Sequence, residues 1–382
     1  MKIAHICLCG PFTEGMTYQE NLLSLQNALD GHDVLIIASR YSWEKDRIVK
    51  LPECSKMLVG GIKLVRISYD NILNDYISEK VRKASALMPI VREFDPDIIF
   101  FHDIQAFEII NVARYRKNHP NVRLVVDVHS DFNNSALNAL SYVILHKILY
   151  KSIILLSIRH IDRIYCVTDS CIRFVREAYG IKGKKVELFP LGGVVSEGCE
   201  KEIEHRRELL GIDSNDIVLL HSGKFNRKKR TKELLMIFNS KVYAHMKLLL
   251  IGTINNDDKE SLELLVNSNP NILFLGWKSG NQLLEYLRIA DIYVQPGSAS
   301  ATLQNAICAG NAIIAYDSEI YANYVKGNGW LISNIKEIGH ILDEIENNPA
   351  LLSQMKEASL RIGRNELDYR VLARRVYSLI EE

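Results

Sequence analysis

The chain has 382 residues, and its 47 lysines and arginines almost balance its 46 aspartates and glutamates. At roughly 100–200 residues per domain, this length predicts two domains rather than one hydrophobic core. A chain so close to neutral has no overall positive field for a phosphate backbone, so we expect no nucleic-acid partner.

The seven cysteines are scattered, without a CxxC pair or zinc-type spacing, which predicts reduced thiols, a cytoplasmic location and no metal site. The apolar run at the N-terminus is too short for a signal peptide and predicts a first strand. The most apolar stretch, residues 142–156, is interrupted by charges and is shorter than the ~20 residues that span a bilayer. The sequence therefore predicts no transmembrane segment.

Short apolar runs alternate with segments of helical periodicity along the first half of the chain. Continuous runs of valine, isoleucine and leucine between helices are typical of parallel strands that are covered on both faces. The first strand ends in a glycine-containing loop, Cys9–Gly15, which a helix follows. The predicted strands are Lys2–Leu8, Val34–Ala38, Ile62–Ile67, Ile98–Phe101, Leu124–Val128 and Arg163–Val167.

The pattern restarts after a polar segment, 197–205, which is typical of a connection between domains. We therefore expect two Rossmann-like, doubly wound α/β domains at residues 1–195 and 196–365, and a C-terminal helix at 366–382 that packs back on the first domain. Ligands of such sheets bind at the carboxyl ends of the strands, here in a cleft between the domains. The predicted strands of the second half are Ile217–His221, Leu248–Ile251, Ile272–Leu275, Ile292–Val294 and Ala312–Ala315.

A glycine and several basic residues follow the first strand of the second domain. Gly223 at the strand end lets the backbone approach a phosphate, and Lys224 and Lys229 supply positive charge to a diphosphate. A solvated basic loop is the alternative interpretation.

A second loop, Ser298–Thr302, connects a later strand to a helix and is rich in small hydroxyl residues. Unpaired backbone N–H groups and the helix dipole favour an anion at such a helix start. The loop therefore predicts a phosphate site, and ordinary N-cap chemistry is the alternative.

Taken in this order, the segments resemble the retaining nucleotide-sugar glycosyltransferases of family 4, which have the GT-B fold of two Rossmann-like domains facing a central cleft. Lys224 and Lys229 stand where that family has the arginine and lysine of its phosphate loop. The opening Gly10–Gly15 with Tyr18–Asn21 resembles a bacterial surface-polysaccharide branch. Further matching segments are Leu275–Trp277, Ala290–Pro296, Val125–His129, Cys166–Ser170 and Leu188–Val194.

The resemblance implies three catalytic residues. Lys224 and Lys229 would stabilise the leaving diphosphate, and His129 would orient a donor-sugar hydroxyl or the acceptor, with a strand-end histidine bonded to backbone as the alternative. For the aspartates among the acceptor candidates, capping is the alternative. The expected donor-binding residues are Gly10, Gly15, Gly223, Gly276, Ser298, Ser300, Ala301, Thr302, Gln304 and Asn305. The candidate acceptor contacts are Asp103, Asp131 and Tyr18.

The chain departs from the family at the helix after the second loop. The family has two glutamates there, separated by seven residues, whereas this sequence has no carboxylate between Asp291 and Asp317. Gln304 or Asn305 stands at the second glutamate position, where an amide can bond ribose hydroxyls but carries no charge. Either donor recognition has been rebuilt or activity has been lost, and the retained lysines favour rebuilding.

The resemblance implies transfer of a sugar from a UDP- or GDP-sugar to a saccharide or lipid-linked acceptor, with retention and without a metal or other cofactor. It also implies a role in surface polysaccharide assembly, namely of lipopolysaccharide, O-antigen or capsule. The alternatives are a nucleotide-sugar 2-epimerase and a catalytically inactive nucleotide-sugar-binding homologue. The base, the sugar, the acceptor, the linkage and the oligomeric state stay open.

One helix of the first domain contains His146, Lys147, Lys151 and Arg159 within an apolar sequence. An apolar helix with a basic side predicts peripheral contact with an anionic membrane surface. A helix buried in the first domain, with solvated ends, is the alternative interpretation.

Overall fold

The computed structural model describes residues 1–44, 47–136, 138–183, 185–195, 199–255 and 258–380. The chain divides into two compact units, Met1–Pro190 with Leu372–Glu382, and Leu191–Val371. These divisions fall at 190/191 and 371/372, where the sequence predicts boundaries at 195/196 and 365/366. Residues 196–198, next to the first predicted boundary, lie outside the described residues.

The first unit contains an eight-stranded sheet in the order β10–β9–β8–β7–β1–β2–β6–β5. Its pairs are parallel except β5 with β6, and β3 and β4 form a separate antiparallel pair. Every residue of β1 after its first is buried, which puts this strand in the core. The strands are β1 (Lys2–Cys7), β2 (Asp33–Ser39), β3 (Tyr41–Glu44), β4 (Arg47–Lys50), β5 (Cys54–Met57), β6 (Lys63–Ile67), β7 (Ile98–Phe101), β8 (Arg123–Val128), β9 (Arg163–Cys166) and β10 (Val186–Leu188).

Helices connect these strands, and polar side chains begin several of them. Asn74, Asn138 and Thr168 each accept a hydrogen bond from a backbone N–H of the helix that follows. A π-helical segment, Tyr142–Tyr150, joins α5 to α6. The helices are α1 (Gln19–Leu29), α2 (Asp75–Val81), α3 (Leu87–Phe94), α4 (Ile109–Asn118), α5 (Ala139–Ser141), α6 (Lys151–Ser157) and α7 (Asp169–Phe174).

The second unit has a six-stranded parallel sheet in the order β13–β12–β11–β14–β15–β16. Apolar clusters made by its strands and helices form the core of this unit. Its strands are β11 (Ile217–Phe225), β12 (Met246–Ile254), β13 (Ile272–Gly276), β14 (Ile292–Gln295), β15 (Ala312–Tyr316) and β16 (Gly329–Ile332). Its helices are α8 (Glu200–Leu209), α9 (Thr231–Asn239), α10 (Lys259–Asn267), α11 (Gly280–Ile289), α12 (Thr302–Cys308), α13 (Glu319–Ala322), α14 (Glu337–Asn347) and α15 (Ala350–Ile362).

The last helix, α16 (Tyr369–Tyr377), leads the chain into the C-terminal part of the first unit. The Tyr165 hydroxyl donates to the carbonyl oxygen of Arg375 at 3.2 Å, and Arg123 Nε donates to that of Leu379 at 2.6 Å. Within the described ranges, no helix is long and apolar enough to cross a membrane.

Candidate functional site

A buried carboxylate, Asp127, organises the carboxyl end of the first unit's sheet. It lies on β8 and accepts from the backbone N–H of Asp103 (2.6 Å), Gln19 Nε2 (3.1 Å), His102 Nδ1 (2.9 Å) and His129 Nε2 (3.2 Å). Burial opposes its charge, but the two imidazoles outweigh burial and hold the pKa of Asp127 well below its usual range. An acidic residue inside a buried strand is the sequence signal for this role, and Asp127 was not among the predicted site residues.

His129, a predicted catalytic residue, follows β8 and has 36% of its side chain exposed. Burial opposes a charged imidazole, but the Asp127 carboxylate overcomes this and raises the pKa of His129 to about 9. Both ring nitrogens therefore carry protons at neutral pH; Nε2–H donates to Asp127, and contact of Nδ1–H with a ligand stays a prediction. The partner of His129 is a carboxylate, so the alternative of a histidine bonded to backbone does not describe it.

Asp103, a candidate acceptor contact, belongs to the same cluster. Its backbone has a φ of 63°, which is uncommon for a residue with a side chain. Its carboxylate accepts from the N–H of Ile104 at 2.6 Å and from the Ser130 hydroxyl at 3.2 Å. Burial raises the pKa of Asp103, so this carboxyl is less acidic than an exposed aspartate.

Asp131 makes capping contacts, and its contact with an acceptor stays a prediction. Its Oδ1 accepts from the backbone N–H groups of Asn133 at 2.8 Å and Asn134 at 2.9 Å, which occupies this oxygen within its own turn. Tyr18 precedes α1 and is 44% exposed, and its contact with an acceptor stays a prediction.

Arg66, which was not among the predicted site residues, supports the loop between β1 and α1. Arg66 on β6 is buried and donates to the carbonyl oxygen of Phe12 at 2.9 Å and to the Glu14 carboxylate at 3.3 Å. Gly15 in this loop has a φ of 72°, which favours glycine, whereas Gly10 has open space where a Cβ would stand. Closure of this loop over a diphosphate stays a prediction.

In the second unit, Lys229 lies between two loops at the carboxyl end of the sheet. Its Nζ donates to the carbonyl oxygens of Ser298 at 3.2 Å and Ala299 at 3.3 Å. Burial lowers the pKa of Lys229 to about 8, and these neutral carbonyls do not fully offset the cost of burying an ammonium. An anionic ligand beside Nζ would restore the preference for the charged form.

Two glycines allow these loops to approach each other. A Cβ on Gly223 would lie 3.1 Å from Lys229 Cε, and the φ of 139° at this position also favours glycine. A Cβ on Gly297 would lie 2.1 Å from the carbonyl oxygen of Lys228, which accepts from the backbone N–H of Ser298 at 2.8 Å. Gly223 was selected from the sequence, whereas Gly297 was not among the predicted site residues.

The sequence predicts unpaired backbone N–H groups at Ser300–Thr302, and the structure corrects this in part. The N–H of Ser300 donates to the Tyr321 hydroxyl at 2.9 Å, and that of Thr302 faces Ser300 Oγ at 3.4 Å. Side-chain oxygens therefore satisfy two of the groups that a phosphate was expected to meet. For Ala301 between them, donor binding stays a prediction, and Lys229 becomes the main anion-binding candidate of this unit.

Gln304 and Asn305 lie on α12 with 4% and 7% of their surface exposed. In the part of the chain that the structure describes, the amide oxygens Oε1 of Gln304 and Oδ1 of Asn305 are buried without a hydrogen-bond partner. A buried acceptor left unpaired costs roughly 1–3 kcal/mol, so a hydroxyl-bearing ligand that reached these oxygens would recover that cost.

The remaining predicted donor residues have less defined surroundings. Lys224 is exposed near the end of β11, and Gly276 ends β13 with a φ of 69° and open space around the position of a Cβ. The carbonyl oxygen of Ser298 also accepts from Gln295 Nε2 at 2.6 Å, which fixes the loop that holds Lys229. Contacts of Lys224 and Gly276 with a donor stay predictions.

Two family models match the chain. The model of Glycosyltransferase Family 4 matches residues 18–193, and the model of Glycosyl transferases group 1 matches residues 202–361. A curated relative is alpha-galactosylglucosyldiacylglycerol synthase of Streptococcus pneumoniae (strain ATCC BAA-255 / R6), 21% identical over 173 residues. This match covers 43% of the chain and 46% of the relative, so the chain spans about half the length of that protein.

Solved structures are similar over the whole chain. Anabaena Alr3699/HepE in complex with UDP has a TM-score of 0.67 at 12% identity, with 100% of both chains covered. WaaG, a glycosyltransferase involved in lipopolysaccharide biosynthesis, has a TM-score of 0.63 at 17% identity and covers 100% of this chain and 99% of its own. At these identities the similarity shows the GT-B fold, as predicted. Because the two models match most of both units, the chain belongs to the family 4-like, group 1 glycosyltransferases.

Proposed function

We propose that the protein transfers a sugar from a nucleotide-diphosphate sugar to a saccharide or lipid-linked acceptor, with retention of anomeric configuration. The observation that carries the proposal is Lys229, a half-buried ammonium that two backbone carbonyls hold at the carboxyl end of a parallel sheet. A partly buried cation at the carboxyl end of such a sheet fits a residue that binds an anionic ligand.

The proposed donor is a UDP- or GDP-sugar bound by the second unit. Lys229 meets the β-phosphate, and Lys224 on the preceding strand adds positive charge. The buried amide oxygens of Gln304 and Asn305 accept hydrogen bonds from the ribose hydroxyls, in the place where the family has a glutamate. The complex of HepE with UDP supports UDP as the first nucleotide to test.

In the proposed reaction, the bond between the anomeric carbon and the β-phosphate oxygen breaks while the acceptor hydroxyl attacks the same face and gives its proton to the departing phosphate oxygen. Negative charge grows on the leaving diphosphate, and Lys229 and Lys224 stabilise it. His129 donates Nδ1–H to a hydroxyl of the sugar or acceptor. The proposal includes no metal, because the two lysines supply the charge that a metal ion supplies in other transferases.

We further propose that the protein works at the cytoplasmic membrane face, in surface polysaccharide assembly. On the helical stretch through Tyr142–Tyr150 and α6, five apolar side chains are 49–69% exposed, which supports contact with lipid over burial of this stretch in the first domain. Lys147 and Lys151 lie on the same stretch and would attract anionic lipid. The exposed side chains are Val143, Ile144, Ile148, Leu155 and Leu156.

A binding experiment tests the donor site. Thermal unfolding is measured with UDP, GDP, ADP and dTDP and with their sugar conjugates, for the wild type and for Lys229→Met, with Lys228→Met as control. A ligand at a hundredfold excess over its Kd stabilises the fold by roughly 2.7 kcal/mol. We expect the nucleotides of one base to raise the Tm of the wild type. Lys229→Met should lose this shift. Lys228→Met, which changes an exposed neighbour in the same loop, should keep it.

The outcomes separate the proposal from its alternatives. No shift with any nucleotide contradicts the donor site. The inactive homologue is supported if the protein binds a nucleotide but releases no nucleoside diphosphate with lipid-linked or saccharide acceptors present. The epimerase is supported if the donor is converted to its 2-epimer. For a transferred sugar, the coupling constant of the anomeric proton in NMR distinguishes retention from inversion, and EDTA tests for a metal.

A vesicle experiment tests the membrane face. The wild type should sediment with vesicles that contain phosphatidylglycerol, and Ile144→Ser/Ile148→Ser should reduce the bound fraction at equal Tm. Equal binding of both proteins would contradict this surface. Binding to neutral phosphatidylcholine vesicles at the same level would contradict the role of Lys147 and Lys151.

A further inference from the structure

A line of buried polar side chains connects Asp127 to the surface of the first unit, and the proposed reaction does not use it. The consecutive distances from Asp127 Oδ2 outward are 2.9, 3.0, 2.8, 2.7 and 2.9 Å. The atoms between are both ring nitrogens of two histidines, one amide and one phenolic hydroxyl. We call the set the relay, and its members are Asp127, His102, His5, Asn27, Tyr377 and Asp30.

The direction of the hydrogen bonds is fixed from the surface end of the relay. The exposed carboxylate of Asp30 only accepts, so the single proton of the Tyr377 hydroxyl is donated to it. The hydroxyl oxygen then accepts from Nδ2 of Asn27, which turns the amide oxygen toward His5. Nε2 of His5 therefore carries a proton and donates.

This direction determines the protonation of the second histidine. His5 is fully buried, and burial lowers its pKa to about 3, so it is neutral and has its one proton on Nε2. Its Nδ1 accepts, and His102 must donate to it from Nε2. His102 also faces the Asp127 carboxylate with Nδ1 and must donate there as well. Both nitrogens of His102 therefore carry protons.

We propose that the relay fixes His102 as an imidazolium paired with the Asp127 carboxylate, and that this pair positions His129 for its ligand. With Asp127 held as an acceptor, His129 donates Nε2–H to it and presents Nδ1 to the exposed side. Tyr377 on α16 and Asn27 on α1 act through other groups and are positioning residues. The part that concerns the ligand rests on the proposed function, whereas the protonation pattern does not.

The same atoms allow a second pattern, which shows why the surface end matters. If the Asn27 amide were turned over and the three bonds between Tyr377 and His102 were reversed, His5 would carry its proton on Nδ1, and His102 would be neutral and still donate Nδ1–H to Asp127. The Tyr377 proton would then point inward, and Asp30 would lose this donor. The bond between Tyr377 and Asp30 thus selects the charged pattern. Among the described residues, Asp103 and Glu20 also act on the charge of His129.

The test reads the ring protons directly by two-bond ¹H–¹⁵N correlation NMR of the full chain labelled with ¹⁵N-histidine, with signals assigned from His5→Gln and His102→Gln. In the wild type at pH 7, we expect both nitrogens of His102 and only Nε2 of His5 to be protonated. Tyr377→Phe removes the hydroxyl, and we expect His102 to become neutral with His5 protonated on Nδ1. Ser378→Ala removes a hydroxyl from the next residue and should leave the wild-type pattern.

A second readout follows His129 itself. Loss of the neighbouring cation in Tyr377→Phe should raise the pH midpoint of the His129 titration by about half a unit, since a like charge lowers the pKa of an imidazole. A wild-type His102 with one ring proton at pH 7 would overturn the proposal, and so would identical patterns and His129 midpoints in the wild type and Tyr377→Phe. The wild-type spectrum decides even if the variant does not fold. None of these readouts needs sugar transfer, so failure of the proposed function would be seen separately.

Discussion

Raising the pH from 7 to 9 should weaken the binding of UDP, because the ammonium that we assign to its diphosphate loses its proton. Burial places the pKa of Lys229 at about 8 in the free protein, and a bound diphosphate holds the proton to much higher pH. At pH 9 about one free molecule in eleven has the charged lysine, compared with about ten in eleven at pH 7. The apparent Kd therefore rises about tenfold, which is ~1.4 kcal/mol.

Isothermal titration with UDP at half-unit steps from pH 7 to 9 measures this effect, in a range where the phosphates of UDP stay ionised. Lys229→Arg keeps its charge at every pH in this range, so its Kd should stay constant although the fit of the longer side chain lowers the affinity. Lys228→Met should follow the wild type. A flat wild-type profile, or an equal slope in Lys229→Arg, would refute the assignment of Lys229 to the diphosphate.

Three further predictions concern groups in both units. Asp127→Asn should move the NMR titration midpoint of His129 from about 9 to below 7, because the imidazole loses its carboxylate. The same change should lower the free energy of unfolding in urea by about 3 kcal/mol. Gly297→Ala should lower the free energy of unfolding by at least ~2 kcal/mol and abolish UDP binding, because its Cβ would stand 2.1 Å from a backbone oxygen. In Gly10→Ala the added Cβ meets no atom within 4 Å, so the free energy of unfolding should stay unchanged. Burial lowers the pKa of His221 to about 4, below its unfolded value, so this group stabilises the fold above pH 6.5 and loses that contribution as the pH falls toward 4. Between pH 7 and 5 the free energy of unfolding should fall by about 2 kcal/mol because of this group. Urea titrations measure this free energy at each pH. An equal fall in the wild type and in His221→Gln would contradict the prediction.

The central strands could be predicted from the sequence because both faces of a parallel sheet are covered. The run Ile98–Phe101 is apolar at every position and coincides with β7. Two of the edge strands, β5 and β16, gave no such signal. β5 has the sequence CSKM and is largely exposed, and β16 begins with a glycine, so neither forms a continuous apolar run.

The candidate site was predicted only where the relevant residues are close in sequence. Lys229 follows the strand that contains Gly223, and the family resemblance supplied its role. The partners of Asp127, which contacts His129, are distributed along the chain: Gln19 is 108 residues from Asp127, and His102 is 25 residues away. No local pattern shows that they meet, because the sheet topology brings them together.

The paired N–H groups at Ser300 and Thr302 show a second limit. Small hydroxyl residues at a helix start are compatible with a phosphate and with capping, and both depend on the same unpaired donors. The hydroxyl of Tyr321, 21 residues from Ser300, decides between them at that position. Sequence spacing does not contain this contact.

The first unit is built from two separate parts of the chain, and this has a consequence for its synthesis on the ribosome. Residues 1–190 emerge first, but Arg123 and Asn27 find their partners Leu379 and Tyr377 only after the whole second unit has been made. The second unit is continuous and can complete its sheet while the first still lacks its last segment. We therefore expect the N-terminal half to be the part that depends on chaperones during translation. The side chain of His5 should become fully buried only when Tyr377 has docked.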